Sequence, residues 1–106
     1  MKKMNSSQRS YLKSQAHHLD SVVIIGKNGL NNGTLHSINN ALSNQELIKI
    51  KFREHKDDKH DLSKKIALET SSIVINMVGH VLMLYREHMI PRNVDLHYVN
   101  HFVSPW

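Results

Sequence analysis

The chain has no cysteine, which excludes disulfides, thiolate nucleophiles and cysteine-built zinc sites and fits a reducing compartment. It has no long hydrophobic run either: nothing approaches the roughly 18 consecutive apolar residues that cross a bilayer. Met1-Lys2-Lys3 leads into the polar Asn5-Ser6-Ser7-Gln8 instead of the apolar stretch of a signal peptide, so the expectation is a cytoplasmic protein with no membrane partner. Internal repeats and low-complexity segments are absent, and 106 residues suit one domain with a single core.

Acidic residues are scarce in the first half. Residues 1–53 hold eight Lys/Arg against Asp20 and Glu46, a net +6, whereas residues 54–106 hold six against seven acids, a net −1. A positive field concentrated in one half favours an anionic partner, and a polyanion gains most because each neutralised phosphate releases counterions.

What is present is a regular alternation of helix and strand signals. Asn5 with Gln8 three residues later reads as a capping box, and Leu12, Ala16 and Leu19 follow at helical spacing, which predicts a helix over 6–18 with Arg9, Lys13 and His17 on its other face. Val22 to Ile25 is a β-branched run without alternation, the pattern of a strand covered on both faces. Asn31 is the N-cap of a second helix with Leu35, Ile38, Ala41 and Leu42 on its buried stripe. From Glu46 to Arg53, Ile48, Ile50 and Phe52 alternate with Lys49, Lys51 and Arg53, giving a strand with one core face and one cationic face. A charged loop over 54–60 precedes a helix over 61–71. Two final strands, 73–78 and 81–86, flank Gly79-His80, the signature of a two-residue type II′ hairpin. The expected class is α/β (α+β), in the order α-β-α-β-α-β-β with a four-stranded mixed sheet. Residues 1–90 form the domain; Pro91 and Pro105 interrupt the segment 91–106, which is expected to be a partly docked or disordered tail carrying Phe102 and Trp106.

The most informative residues are Gly26-Lys27-Asn28-Gly29, between the first strand and the second helix. Glycine lets a main chain approach a ligand closely, and the free N–H groups and positive end of the following helix favour an anion, to which Lys27 adds a mobile charge. Such a turn also serves simply to reverse the chain. Lys49, Lys51 and Arg53 repel one another along one strand, a cost that an anionic partner relieves, although a charged edge strand also protects against aggregation. Tyr85 and Arg86 end the last strand, where they read either as rim residues or as a base-stacking and phosphate-holding pair. With six aromatics in the whole chain, the cationic strand face argues for backbone recognition and against the exposed aromatic platform of an RRM. A KH domain also uses GxxG to hold a backbone, but its element order differs. Asp57 and His60 could reach one cation, yet no HExxH or other closed ligand set supports a metal. Nothing resembles a nucleophile elbow, a P-loop or a dinucleotide fingerprint, so neither an enzyme nor a cofactor is expected.

Several separated blocks in fixed order resemble one family. Gln8, Leu12-Lys13, Ala16-His17 and Leu19, then Gly26-Lys27-Asn28-Gly29-Leu30, Ala41-Leu42, Glu46 to Lys51, Gly79, Leu82 and Leu84-Tyr85-Arg86 are similar to the CRM domain in its stand-alone bacterial form, the YhbY-type RNA-binding proteins. The resemblance covers residues 6–87. It implies a fold like the C-terminal domain of translation initiation factor three and an RNA-binding factor, acting on large-subunit rRNA or its precursor in ribosome assembly; a monomer is expected. Family function carries over to Gly26, Lys27, Asn28 and Gly29; Arg9, Lys13, Lys49, Lys51, Arg53 and Arg86 extend the RNA-binding set by charge geometry. Three residues depart from the family pattern: Ser21 stands where proline is usual, Ser71 where glycine is usual, and His80 where lysine is usual. The alternative function is a protein-interaction domain with a basic face and a C-terminal aromatic anchor.

Overall fold

A computed structural model describes residues 4–88. The segment 91–106, with its expected partial docking and its aromatic anchor, lies outside the described residues. Among the described residues, three helices, α1 (Ser6–Ala16), α2 (Asn32–Asn44) and α3 (Lys59–Thr70), are interspersed with strands β1 (Ser21–Ile25), β2 (Leu47–Phe52), β3 (Ile73–Val78) and β4 (Val81–Tyr85). A 3-10 turn, Lys56–Asp58, leads into α3. The fold is mixed α+β, as the patterning implied.

Local chemistry sets the helix starts. At α1 the Asn5 side chain accepts from the Gln8 backbone N–H at 2.8 Å and the Gln8 side chain accepts from Asn5 at 3.0 Å, the complete capping box. At α2, Asn31 Oδ1 accepts from the Thr34 N–H at 2.9 Å. The strands order as β1-β2-β4-β3, with β1 parallel to β2 and the other neighbouring pairs antiparallel. Because β1 and β2 run parallel and each is followed by a helix, α2 and α3 both begin at the same edge of the sheet.

The two sheet faces are covered unequally. On one face Val23, Ile25, Ile48, Ile50, Phe52, Leu82 and Leu84 pack with Ile38 and Leu42 of α2 and Ile66 of α3 into the main core. Each fully buried aliphatic there contributes about 1.5–3 kcal/mol relative to exposure. On the other face α1 lays Leu12 and Ala16 on Ile75, Met83 and Tyr85. This second cluster occupies only the end of the sheet where β2 and β3 begin.

The position of β1 corrects the sequence reading. Read as covered on both faces, it is in fact an edge strand in which Val23 and Ile25 are buried while Val22 and Ile24 are exposed. Its unbroken apolar run reflects β-branched strand preference, and α1 sits over other strands. α1 ends at Ala16, two residues short of the periodicity, and α3 begins at Lys59.

The hairpin matches its signature: Gly79 has φ 59° and is followed by His80, which is not among the positive-φ residues. After α3, Ser71 adopts the left-handed region at φ 53°, ψ 48°, and Ser72 N–H donates to the Ala67 carbonyl at 2.9 Å. A serine there carries a strain that glycine would not.

Candidate nucleic-acid interface

The GKNG segment is a β-turn: Gly29 N–H donates to the Gly26 carbonyl at 3.0 Å, and Gly29 takes φ 67°. Thr34 Oγ1 donates to the Gly29 carbonyl at 3.3 Å, tying the turn to the first turn of α2. Gly26 is different. Its φ lies outside the left-handed region and a Cβ built on it would meet nothing within 4 Å, so neither conformation nor packing requires glycine there.

The loop after β2 braces this turn from below. Arg53 and Glu54 N–H groups both donate to the Ile25 carbonyl, at 3.0 and 3.2 Å. His55 reaches further and bonds the Lys27 carbonyl through Nε2 at 2.9 Å. A carbonyl oxygen only accepts, so Nε2 carries the proton. A Cβ on Gly29 would lie 3.2 Å from that same Nε2, so the imidazole fills the space beside the second glycine. His55 does this from a left-handed backbone, φ 57°, ψ 35°.

Four features therefore share the edge at the carboxyl ends of β1 and β2: the GKNG turn, the start of α2, the 53–58 loop with the start of α3, and the Gly79-His80 turn. Phe52 N–H donates to the His80 carbonyl at 2.8 Å, fixing the hairpin to this edge. Ligands of open α/β sheets bind at such edges, where helix N-termini converge and favour anions. Lys27, Asn28 and Arg53 are exposed here and make no side-chain hydrogen bond among the described residues; Lys56 is also exposed. Lys59 is turned onto the hairpin, donating to the Gly79 carbonyl and, at 3.2 Å, to His80 Nδ1. His80 is pushed below the usual imidazole value by partial desolvation and then by the Lys59 and Lys56 ammoniums, although its residue as a whole is exposed. Glu54, Asp57 and Asp58 lie in the same loop and offset part of the positive charge.

The remaining sequence-nominated cations are distributed elsewhere. Lys51 is exposed on the sheet face one position before Phe52, and Lys13 is exposed on α1. Lys49 donates from Nζ to the Leu19 carbonyl at 3.0 Å, which holds the α1–β1 connection. Arg9 donates from Nη1 to the carbonyls of Val74 and Ile75, each at 2.8 Å, at the point where the register of β3 shifts. Arg86 stands at the opposite end of the sheet from the GKNG turn. Its guanidinium donates to Asn39 Oδ1 at 2.8 Å, the Thr70 carbonyl at 2.9 Å, the Asn39 carbonyl at 3.1 Å and Ser43 Oγ at 3.2 Å, clasping α2 to the end of α3.

Sequence reasoning did not single out His55, Lys56 and Lys59, which lay in what read as a charged loop. Their signal was positional: a segment directly after the second of two parallel strands shares an edge with the turn after the first. Asp57 and His60 join no group of three or more potential metal ligands among the described residues, and no helix of the described residues is long and apolar enough to cross a membrane.

Comparison with known proteins agrees with this architecture. A Haemophilus influenzae protein named as an RNA-binding protein is 40% identical over 87 residues, which cover 81% of this chain and 88% of that protein. A Pseudomonas aeruginosa protein named a probable RNA-binding protein is 31% identical over 102 residues, covering 95% and 97%. A Staphylococcus aureus protein whose solution structure is described as that of an RNA-binding candidate superposes with a TM-score of 0.72 at 32% identity, covering 89% of this chain and 99% of that one. The family model for the CRS1/YhbY (CRM) domain matches residues 4–86, and with these relatives it establishes that the chain belongs to that family of RNA-binding domains.

Proposed function

We propose that this chain is a non-enzymatic RNA-binding module that grips large-subunit ribosomal RNA or its precursor during ribosome assembly, as a monomer in the cytoplasm. The observation that carries the reading is the gathering, at one sheet edge, of the GKNG turn, the N-termini of α2 and α3, and the exposed Lys27 and Arg53. Gly26 leaves room for a sugar-phosphate backbone, the helix ends and Lys27 supply positive potential, and Asn28 offers both a donor and an acceptor. Lys56 joins this edge directly; Lys13 and Lys51 extend the positive surface. Arg9, Lys49 and Arg86 serve first as internal ties, since their cationic groups already hold carbonyl oxygens.

The test is binding of large-subunit rRNA fragments by wild type and Lys27→Glu across a salt series. Wild-type affinity is expected to fall steeply with salt, and the variant to bind more weakly with a slope shallower by about one or more. Equal affinity in the two proteins would remove the turn from the site. Sedimentation of the native protein with ribosomal precursors, compared with mature subunits, tests the assembly role.

A further inference from the structure

Among the described residues, α1 covers only part of one sheet face. By register Ile24 lies beside Lys51, Lys51 beside Val81, and Val81 beside Val78, so this row crosses all four strands on the side of α1 but beyond the residues that α1 covers. Ile24 is 46% exposed and Val78 55%; Val22, preceding buried Val23, is 49% exposed beside them. Three of the five exposed large hydrophobics among the described residues thus share one surface, which scattered exposure would not produce.

The charge of this surface selects its occupant. None of the four strands contains an acidic residue, and exposed Lys51 stands in the centre of the row. The row is also continuous with the cationic edge: Ile24 is two residues before Gly26, and Val78 directly precedes Gly79. An aliphatic floor with a lysine in it, bordered by a rim suited to phosphates, matches a single nucleic-acid strand. Its backbone follows the rim while its unstacked bases turn inward. β-branched aliphatics contact base and ribose faces without reading hydrogen-bond edges, so such a surface tolerates many sequences.

We propose that the part of this sheet face that α1 does not cover, with Val22, Ile24, Lys51, Val81 and Val78, receives the bases of single-stranded RNA whose backbone is held at Gly26–Gly29. This deepens the function proposed above and rests on it. The surface is blind to RNA whose bases are stacked inside a duplex.

The experiment compares wild type, the double variant Ile24→Thr/Val78→Thr, Lys51→Gln and Lys27→Glu. The probes are an unstructured large-subunit rRNA fragment and the same fragment annealed to its complement. Threonine keeps β-branching at two exposed sites, and Lys51→Gln removes nothing from the core, so circular dichroism should show folded proteins throughout. The double variant is expected to bind the single strand about fivefold more weakly with its salt slope unchanged, and the duplex as wild type does. Lys51→Gln should make the single-strand slope shallower by about one. Wild-type affinity in the double variant, with binding lost in Lys27→Glu, would overturn the sheet surface and leave the turn in place. Wild-type affinity in Lys27→Glu would instead overturn the turn itself, and tighter binding to duplex than to single strand would overturn the base-receiving role.

Discussion

The imidazole of His55 donates from Nε2 to the carbonyl oxygen of Lys27 at 2.9 Å, joining residues 28 apart in the chain. The bond holds the main chain on which the Lys27 side chain is mounted, and it is made by a residue whose own backbone is strained at φ 57°. A strained conformation maintained to place one ring against a candidate binding turn has a measurable signature.

His55→Ala keeps the left-handed backbone with a side chain that dislikes it and loses the hydrogen bond, whereas His55→Gly loses the bond but relieves the strain. Thermal or urea denaturation should place the glycine variant about 1 kcal/mol above the alanine variant. Both should bind rRNA fragments more weakly than wild type by several-fold, with faster amide exchange at Lys27–Gly29. Wild-type binding by both variants would show that the ring is not needed to set the turn.

The two glycines of the turn should separate cleanly. Gly29→Ala meets both a φ of 67° and the His55 ring at 3.2 Å, and should destabilise the protein by about 1–2 kcal/mol. Gly26→Ala meets no atom within 4 Å and should leave stability unchanged or raise it by a few tenths of a kcal/mol. Its added methyl should nonetheless weaken RNA binding about threefold to tenfold if the backbone comes close there. Denaturation and RNA titration on the same two proteins decide it.

Ser71→Gly should stabilise the chain by about 1 kcal/mol, because serine occupies a left-handed position after α3. A rise in melting temperature with unchanged RNA affinity is the expected result. An unchanged or lowered melting temperature would mean that Ser71 compensates its strain in the folded state.

His80 supplies the pH test. Its folded pKa lies below the usual imidazole value, from partial desolvation and then from Lys59 and Lys56. The unfolded chain therefore takes up the proton first as pH falls. The stability His80 contributes is present above about pH 6.5 and is lost as pH falls through the folded value. His80→Gln should flatten that part of the stability profile, as pH falls below about 6.5. At neutral pH the wild-type ring adds no charge to the edge, so His80→Lys should bind rRNA more tightly, with a salt slope steeper by about one.

Much of the fold was legible because it depends on short-range chemistry. Asn5 with Gln8, Asn31 before α2, the alternation from Ile48 to Phe52 and the Gly79-His80 turn each announce a local geometry, and the helices and strands follow. Strand order was less accessible, because β4 lies between β2 and β3 and β1 is left at the edge; that placement is why Val22 and Ile24 are exposed despite an unbroken apolar run. The candidate site divides in the same way. The GKNG turn has a local signature, but a cationic side chain looks the same in a sequence whether it faces solvent, as Arg53 does, or holds carbonyl oxygens, as Arg9 and Arg86 do. The His55 brace depends on two loops meeting, which no window of sequence spans.

The strand order also divides the candidate edge between two assembly units. The GKNG turn and the 53–58 loop belong to the β1-α2-β2 unit, while His80 belongs to the β3–β4 hairpin, which can close on its own through a two-residue turn. The units meet where β4 pairs with β2 and where Leu82 and Leu84 pack against α2, and the Phe52-to-His80 hydrogen bond is one stitch at the edge. A nascent or partly unfolded chain with an undocked hairpin therefore presents an incomplete edge. On the function proposed above, the edge that would grip RNA is complete only once the hairpin has docked.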